Sequence, residues 1–167
     1  MKKTEKLITA LGLSPHPEGG YYKEIYRAKD QVEVPNRFSN HHQKRDAATL
    51  IYFLMQGGNF SAFHRIKEDE IWVYENGGPA IIYMLDSKTK KLIQKTLGSV
   101  EKGDAPVVIV PHDTWFAAEV ADKNSYTLAA CFVAPAFEYV DFELAKRVEL
   151  IHEFPEHAKL ITRLTRE

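Results

Sequence analysis

His64 and Glu70 are the side chains best suited to chemistry in this chain, and the residues around them are regularly spaced. Five residues separate Gly58 from His64, three separate Ile66 from Glu70, and six separate Glu70 from Gly77. A histidine beside a carboxylate is a competent general base, because the carboxylate fixes the tautomer and stabilises the imidazolium once a proton arrives. Tyr74 or Tyr22 could supply the matching acid on the other side of a substrate. Such a set fits proton removal and return next to a carbonyl, as in an isomerase or epimerase, and it needs no metal. The plainer role for the same pair is a hydrogen bond between His64 and Glu70 across the fold. A second polar group precedes it in the sequence. In Glu18-Gly19-Gly20 the glycines permit positive φ or close approach of a ligand. Equally, the segment is a strand-leading turn whose carboxylate satisfies backbone N–H groups. Tyr22, Glu24 and Tyr26 alternate with Lys23, Ile25 and Arg27. If the first of these faces is internal, Glu24 is a buried carboxylate that needs a partner.

The elements that must position these residues are mostly strands. Predicted strands are Tyr21–Arg27, Thr49–Met55, Phe60–Ile66, Ile71–Glu75, Ala80–Leu85, Leu92–Leu97, Val107–Val110, Trp115–Glu119 and Tyr126–Val133. They are short, rich in aromatic and β-branched residues, and separated by Gly-Gly, Asn-Gly-Gly and Asp-rich turns. Many short strands without intervening helices imply a sandwich or barrel. Within them His64 alternates with Phe60, Ala62 and Ile66 on one face, and Glu70 with Trp72 and Tyr74. If both faces turn inward, they enclose an apolar cavity with a few convergent polar groups, the composition of a small-ligand pocket. A helix is expected over Thr4–Leu11, capped by Thr4 and ended at Gly12. Two more are expected over Asp141–Phe154 and Pro155–Arg166, from the spacing of Leu144, Val148 and Ile151, then Ala158, Ile161 and Leu164. Val32–Asp46 is polar and aperiodic and is predicted as a long loop. It is either a mobile cover in which Arg37 or Arg45 grips an anionic group of the ligand, or a solvated connector.

The spacing from Gly58 to Gly77 resembles the first cupin signature, G-x5-H-x-H-x3-E-x6-G, with Ile66 where the second histidine belongs. The opening Leu-Gly-Leu-Ser-Pro15-His16-Pro17-Glu18-Gly19-Gly20-Tyr-Tyr-Lys-Glu24-Ile-Tyr-Arg27 adds a more specific likeness. So do Ile51-Tyr-Phe-Leu, Asp69-Glu70-Ile-Trp72, Val110-Pro111, Trp115, Val133-Ala-Pro135-Ala-Phe137, Asp141-Phe-Glu143 and Arg163-Leu-Thr-Arg166. Together these are similar to the cupin family called DUF985 or Cupin_5, over almost the whole chain. The resemblance implies a mainly β fold, a double-stranded β-helix or jelly roll, with short N-terminal and C-terminal helices. It implies one domain over residues 1–167: helix and turn in 1–20, jelly roll in 21–135, a helical segment in 136–167. It also implies a homodimer, and a pocket for a small polar organic ligand such as a sugar or nucleotide-sugar. Metal-bearing cupins hold their ion with two histidines and a glutamate of the first motif and a histidine of a second. Here Ile66 replaces one histidine, and Phe116 falls at the second-motif position. Only His64 and Glu70 remain, enough at most for a loosely held divalent metal. The readings therefore run from a metal-independent isomerase or epimerase to a non-catalytic binding or sensing protein, and last to a metal-dependent dioxygenase or isomerase. The site expected is His64, Glu70 and Tyr74 for catalysis, with Glu18, Tyr22, Glu24, Arg27, Trp72, Trp115 and Phe116 for ligand binding, and no metal site.

Composition excludes other partners. The formal net charge of the 167 residues is −1, which gives no field to draw nucleic acid or an anionic membrane. The one cysteine, Cys131, lies in an apolar run and reads as a buried, inert thiol. His41-His42 are adjacent and badly spaced for chelation, and His112 sits at a turn and reads as a surface residue. The opening Met1-Lys-Lys-Thr lacks the apolar core of a signal peptide, and no stretch approaches a membrane span, so a cytoplasmic protein is expected.

Overall fold

The computed structural model describes residues 3–35 and 42–166. A helix, α1 (Lys3–Leu11), leads into β1 (Ser14–Pro15), β2 (Tyr21–Arg27), β3 (Gln31–Pro35) and β4 (His42–Asp46). There follow β5 (Thr49–Gln56), β6 (Phe60–Arg65), β7 (Glu70–Gly77), β8 (Ala80–Leu85) and β9 (Leu92–Leu97). The last strands are β10 (Val107–Val110), β11 (Trp115–Val120), β12 (Tyr126–Val133) and β13 (Glu143–Leu144), before α2 (Arg147–Glu153) and α3 (Ala158–Arg163). The strands form a six-stranded sheet in the order β1-β2-β5-β12-β7-β10 and a five-stranded sheet in the order β13-β6-β11-β8-β9. All their ladder pairings are antiparallel. This is the mainly β jelly roll expected from the sequence.

Alternation along the strands sorts side chains into three apolar clusters. Phe53, Trp72, Ile82, Met84, Val108 and Phe116 fill the space between the sheets. Phe63, Tyr83, Leu85 and Trp115 face the other way, under Leu150, Phe154, Ile161 and Leu164 of the C-terminal segment. Leu7, Ile8 and Leu11 of α1 cover Leu13, Leu54 and Leu128 on the outside of the six-stranded sheet. No described helix is long and apolar enough to cross a membrane.

Three expectations change. Val32–Asp46 is not a loop throughout: β3 and β4 pair as an antiparallel hairpin from Gln31↔Asp46 to Pro35↔His42. Val32, Val34 and the polar residues opposite them carry enough extended character to pair without an apolar face. Arg37 and His41 lie outside the described residues. Arg45 is not offered to a ligand, since its guanidinium is buried against Glu68 at 3.1 Å and against Asp141. The helix expected over Asp141–Phe154 is confined to Arg147–Glu153. Leu144 pairs with His64 as part of β13, and Val148 is exposed, so the buried stripe is Leu150 and Phe154 instead.

Candidate functional site

Two β-bulges and one tight turn assemble the site. In β6, Phe116 faces His64 while Ala118 faces Ser61, so three steps on β6 match two on β11. The extra residue places both Ser61 and His64 on the inner side and sends Phe60 and Phe63 to the outer cluster. The simple alternation of Phe60 with His64 read from the sequence is therefore broken. In β2 the register shifts between Glu24 and Tyr26. That shift brings Arg27 to the side of Glu24, not to the opposite face as alternation predicts. Glu24 is consequently exposed at a rim, not buried. The turn before β2 carries Glu18. Gly19 adopts φ +116°, and a Cβ there would stand 2.2 Å from the Phe60 carbonyl oxygen. Only glycine lets this turn lie against β6. The Ala62 N–H then donates to the Glu18 carbonyl at 2.8 Å, which locks the contact.

The result is a cavity of about 430 Å³ at one end of the barrel. Among the residues lining it are His16, Glu18, Tyr22, Glu24, Arg27, His64, Ile66, Glu70 and Tyr139. The sequence paired His64 with Glu70, but the structure pairs it with Glu18: Nε2 of His64 lies 3.1 Å from Glu18 Oε2. The His64 Nδ1–H donates to the Ala62 carbonyl at 2.7 Å, and Ser61 Oγ donates to Glu18 Oε1 at 2.8 Å. With Nδ1 carrying a hydrogen, a neutral imidazole and an ionised carboxylate would oppose two lone pairs. A proton must therefore sit between Nε2 and Oε2. Burial pushes the His64 pKa down to about 3, and burial together with the nearby Glu70 pushes Glu18 well up. The favoured form is a Glu18 carboxylic acid donating to a neutral His64, two groups holding one shared proton.

Glu70 stands apart from that pair but on the same cavity. Burial raises its pKa to about 7, and the neighbouring Cys131 thiol and Trp72 indole offset part of that effect. The indole Nε1 itself has no hydrogen bond within normal geometry, so its help to Glu70 is electrostatic and weak. Burial raises the pKa of the Cys131 thiol, which favours its protonated form, although it too lines the cavity. At the rim, Tyr139 donates to the Tyr22 hydroxyl at 2.9 Å, and His16 Nε2 lies 3.5 Å from Tyr139. His16 is neutral, because burial lowers its pKa to about 4. Its Nδ1 accepts from the Glu18 N–H at 3.3 Å, so its own proton sits on Nε2, towards Tyr139. Among the described residues the Tyr22 hydroxyl hydrogen meets no acceptor.

The other expected residues divide clearly. Phe116 packs behind His64 with ring centres 4.1 Å apart, and Trp72 lies deeper against Phe53. Neither lines the cavity. Trp115 faces the outer cluster under Arg65, 4.4 Å from the ring centre. Tyr74 is at the far end of its strand and donates to the Gly77 carbonyl at 2.7 Å, so it cannot serve as the acid for His64. His112 is exposed beside Asp113, as read. Sequence reasoning passed over His16, Ser61, Phe137, Glu138 and Tyr139. His16 lies in the opening motif, between Pro15 and Pro17. Ser61 needs the bulge, and Tyr139 needs the chain reversal after β12, neither of which has a signal in one sequence.

Metal binding is the common use of this fold, and the residues here do not fit it. Ile66 lines the cavity where a histidine would be needed, Phe116 offers a ring, and the His64 lone pair is directed at Glu18. Among the described residues no group of three His, Cys, Asp or Glu side chains is gathered to hold an ion.

The family model described as Cupin superfamily (DUF985), Cupin_5, matches residues 5–145. A hypothetical protein from Leishmania major is similar over 99% of this chain and 100% of its own, with 31% identity and a TM-score of 0.88. A protein from Shewanella oneidensis is similar over 99% of both chains, with 30% identity and a TM-score of 0.84. Oxalate decarboxylase from Bacillus subtilis shares the fold at 15% identity and a TM-score of 0.54, over 90% of this chain and 36% of its own. No curated protein matches.

Proposed function

Because the chain belongs to the Cupin_5 (DUF985) family of the cupin superfamily, we propose that its barrel binds a small polar organic molecule and moves a proton on it without a metal, in the manner of an isomerase or epimerase. One observation carries this reading: a single cavity is lined by a carboxyl–imidazole pair holding one proton and, from the other sheet, by a second buried carboxyl whose pKa burial raises to about 7. Two titratable groups whose surroundings drive them apart are how one site supplies both an acid and a base. Glu70 is the base and Glu18, backed by His64, is the acid. The Tyr22 hydroxyl donates to a ligand oxygen at the rim. Their placement suits removal of a proton beside a carbonyl and its return to the same or a neighbouring carbon.

The test is incorporation of solvent deuterium into small aldoses and ketoses, followed by mass spectrometry. Exchange by the native protein and its loss in His64→Ala is the expected result. Thermal stabilisation by a compound that never exchanges would replace the enzyme with a non-catalytic binding protein.

A further inference from the structure

The cavity has more carboxyl groups than cations to meet them. Glu18, Glu24, Glu70 and Glu138 line it, against Lys23 and Arg27. Arg27 is already fully engaged. Its Nε and Nη2 donate to the two oxygens of Glu24 at 3.0 Å each. Nη1 donates to Asp46 at 3.1 Å and to Glu138 at 3.0 Å, and Nη2 also to the Phe137 carbonyl at 3.2 Å. Those contacts use every N–H donor a guanidinium has. A phosphate or carboxylate entering here finds no open fork, and it meets Glu24 and Glu138 instead. Lys23 is exposed and cannot shield the interior.

Deeper in, the imbalance is sharper. Glu70 is 8% exposed, and among the described residues no Lys, Arg or His forms an ion pair with it. A buried carboxylate without a counter-charge is costly, and a cation brought by a ligand would relieve that cost. The Glu18–His64 pair, neutral with its shared proton, does not compete for that cation. Tyr22, Phe53, Phe137 and Tyr139 supply aromatic walls, and such faces attract an ammonium group. We propose that the cavity selects a small organic cation, with its ammonium seated on Glu70 and against these aromatic rings. This rests on the reading of the cavity as the ligand site, and it narrows the ligand to an amine. The nucleotide-sugar implied by the sequence resemblance has the opposite charge.

Three probes of one shape decide the matter: 1-amino-1-deoxysorbitol, sorbitol and gluconate, which share a six-carbon chain and differ only in its end group. Calorimetric titration is done at about pH 8, above the ordinary carboxyl range. The aminosorbitol is expected to bind on the order of tenfold tighter than sorbitol, with gluconate the weakest. Glu70→Gln, which keeps the shape and removes the charge, should erase the difference between the first two. Equal binding of all three, tighter binding of gluconate, or binding of none overturns the proposal, and the native ranking decides even where the variant fails to fold. Deuterium exchange on a neutral sugar without preference for the amine would overturn this inference alone. Preference for the amine with no exchange on any substrate would overturn the proton-transfer reading and leave this one standing.

Discussion

A carboxyl and an imidazole that share one proton can be told apart from a merely structural contact by an isostere. In Glu18→Gln the amide oxygen still accepts from Ser61 Oγ, and the amide N–H₂ can donate to His64 Nε2. Both hydrogen bonds survive, so stability should change by no more than about 1 kcal/mol. The transferable proton is gone, and exchange should fall by roughly a hundredfold or more. Glu18→Ala is the contrast. It strips partners from two buried groups and should cost about 1–3 kcal/mol, read by thermal unfolding. If Glu18→Gln keeps native exchange rates, Glu18 only props His64 in place. At this scale the sequence showed which residue types would meet, including His64, Glu70, Glu18 and Tyr22. It did not show which would touch. The choice of Glu18 over Glu70 as the partner of His64 is made by Gly19 lying on Phe60 and by the extra residue in β6, and neither leaves a mark in residue type alone.

The strands themselves were legible because their cause is local. Tyr21–Arg27, Ala80–Leu85, Leu92–Leu97, Val107–Val110 and Tyr126–Val133 fall where alternation and turn residues place them. What failed depends on tertiary contacts. Glu143–Leu144 reads as helix by spacing, yet it pairs with Arg65 and His64 because β6 would otherwise be an open edge beside the cavity. The β3–β4 hairpin lacks apolar periodicity and is held by buried charge instead. Arg45 reaches from β4 to Glu68 and Asp141, with both side chains less than a tenth exposed. Arg45→Met is the informative change, since it keeps the bulk and deletes the cation between two buried carboxyls. It should cost about 3–5 kcal/mol by urea unfolding and open the hairpin to proteolysis before the barrel unfolds. Cleavage no faster than in the native protein would mean that the backbone pairing of β3 with β4 is sufficient.

Across the whole molecule, the groups that make the site also set how stability responds to pH. Below the ordinary imidazole value of 6.5, the unfolded chain takes up protons on His16 and His64 that the folded chain refuses until about pH 4 and 3. Stability attributable to them therefore falls as the solution becomes more acid. Above the ordinary carboxyl value of 4.5, the unfolded chain releases protons that folded Glu18 and Glu70 keep, so their share falls as pH rises. Between the two values the effects oppose each other, and the Glu18–His64 pair binds one proton in either state. Asp46, Asp86 and Glu119 have lowered pKa values, and they add only to the acid side. Stability should thus be greatest at mildly acid pH and decline towards alkali, with the Glu70 contribution to that decline complete once the folded carboxyl ionises near pH 7. A rise from 4.5 to about 7 corresponds to about 3 kcal/mol. Glu70→Gln should therefore match the native protein near pH 4 and exceed it in melting temperature at about pH 8. A gap that stays the same across that range would show that the Glu70 carboxyl is not held uncharged by its burial, and the base assigned to the site would have to be another group.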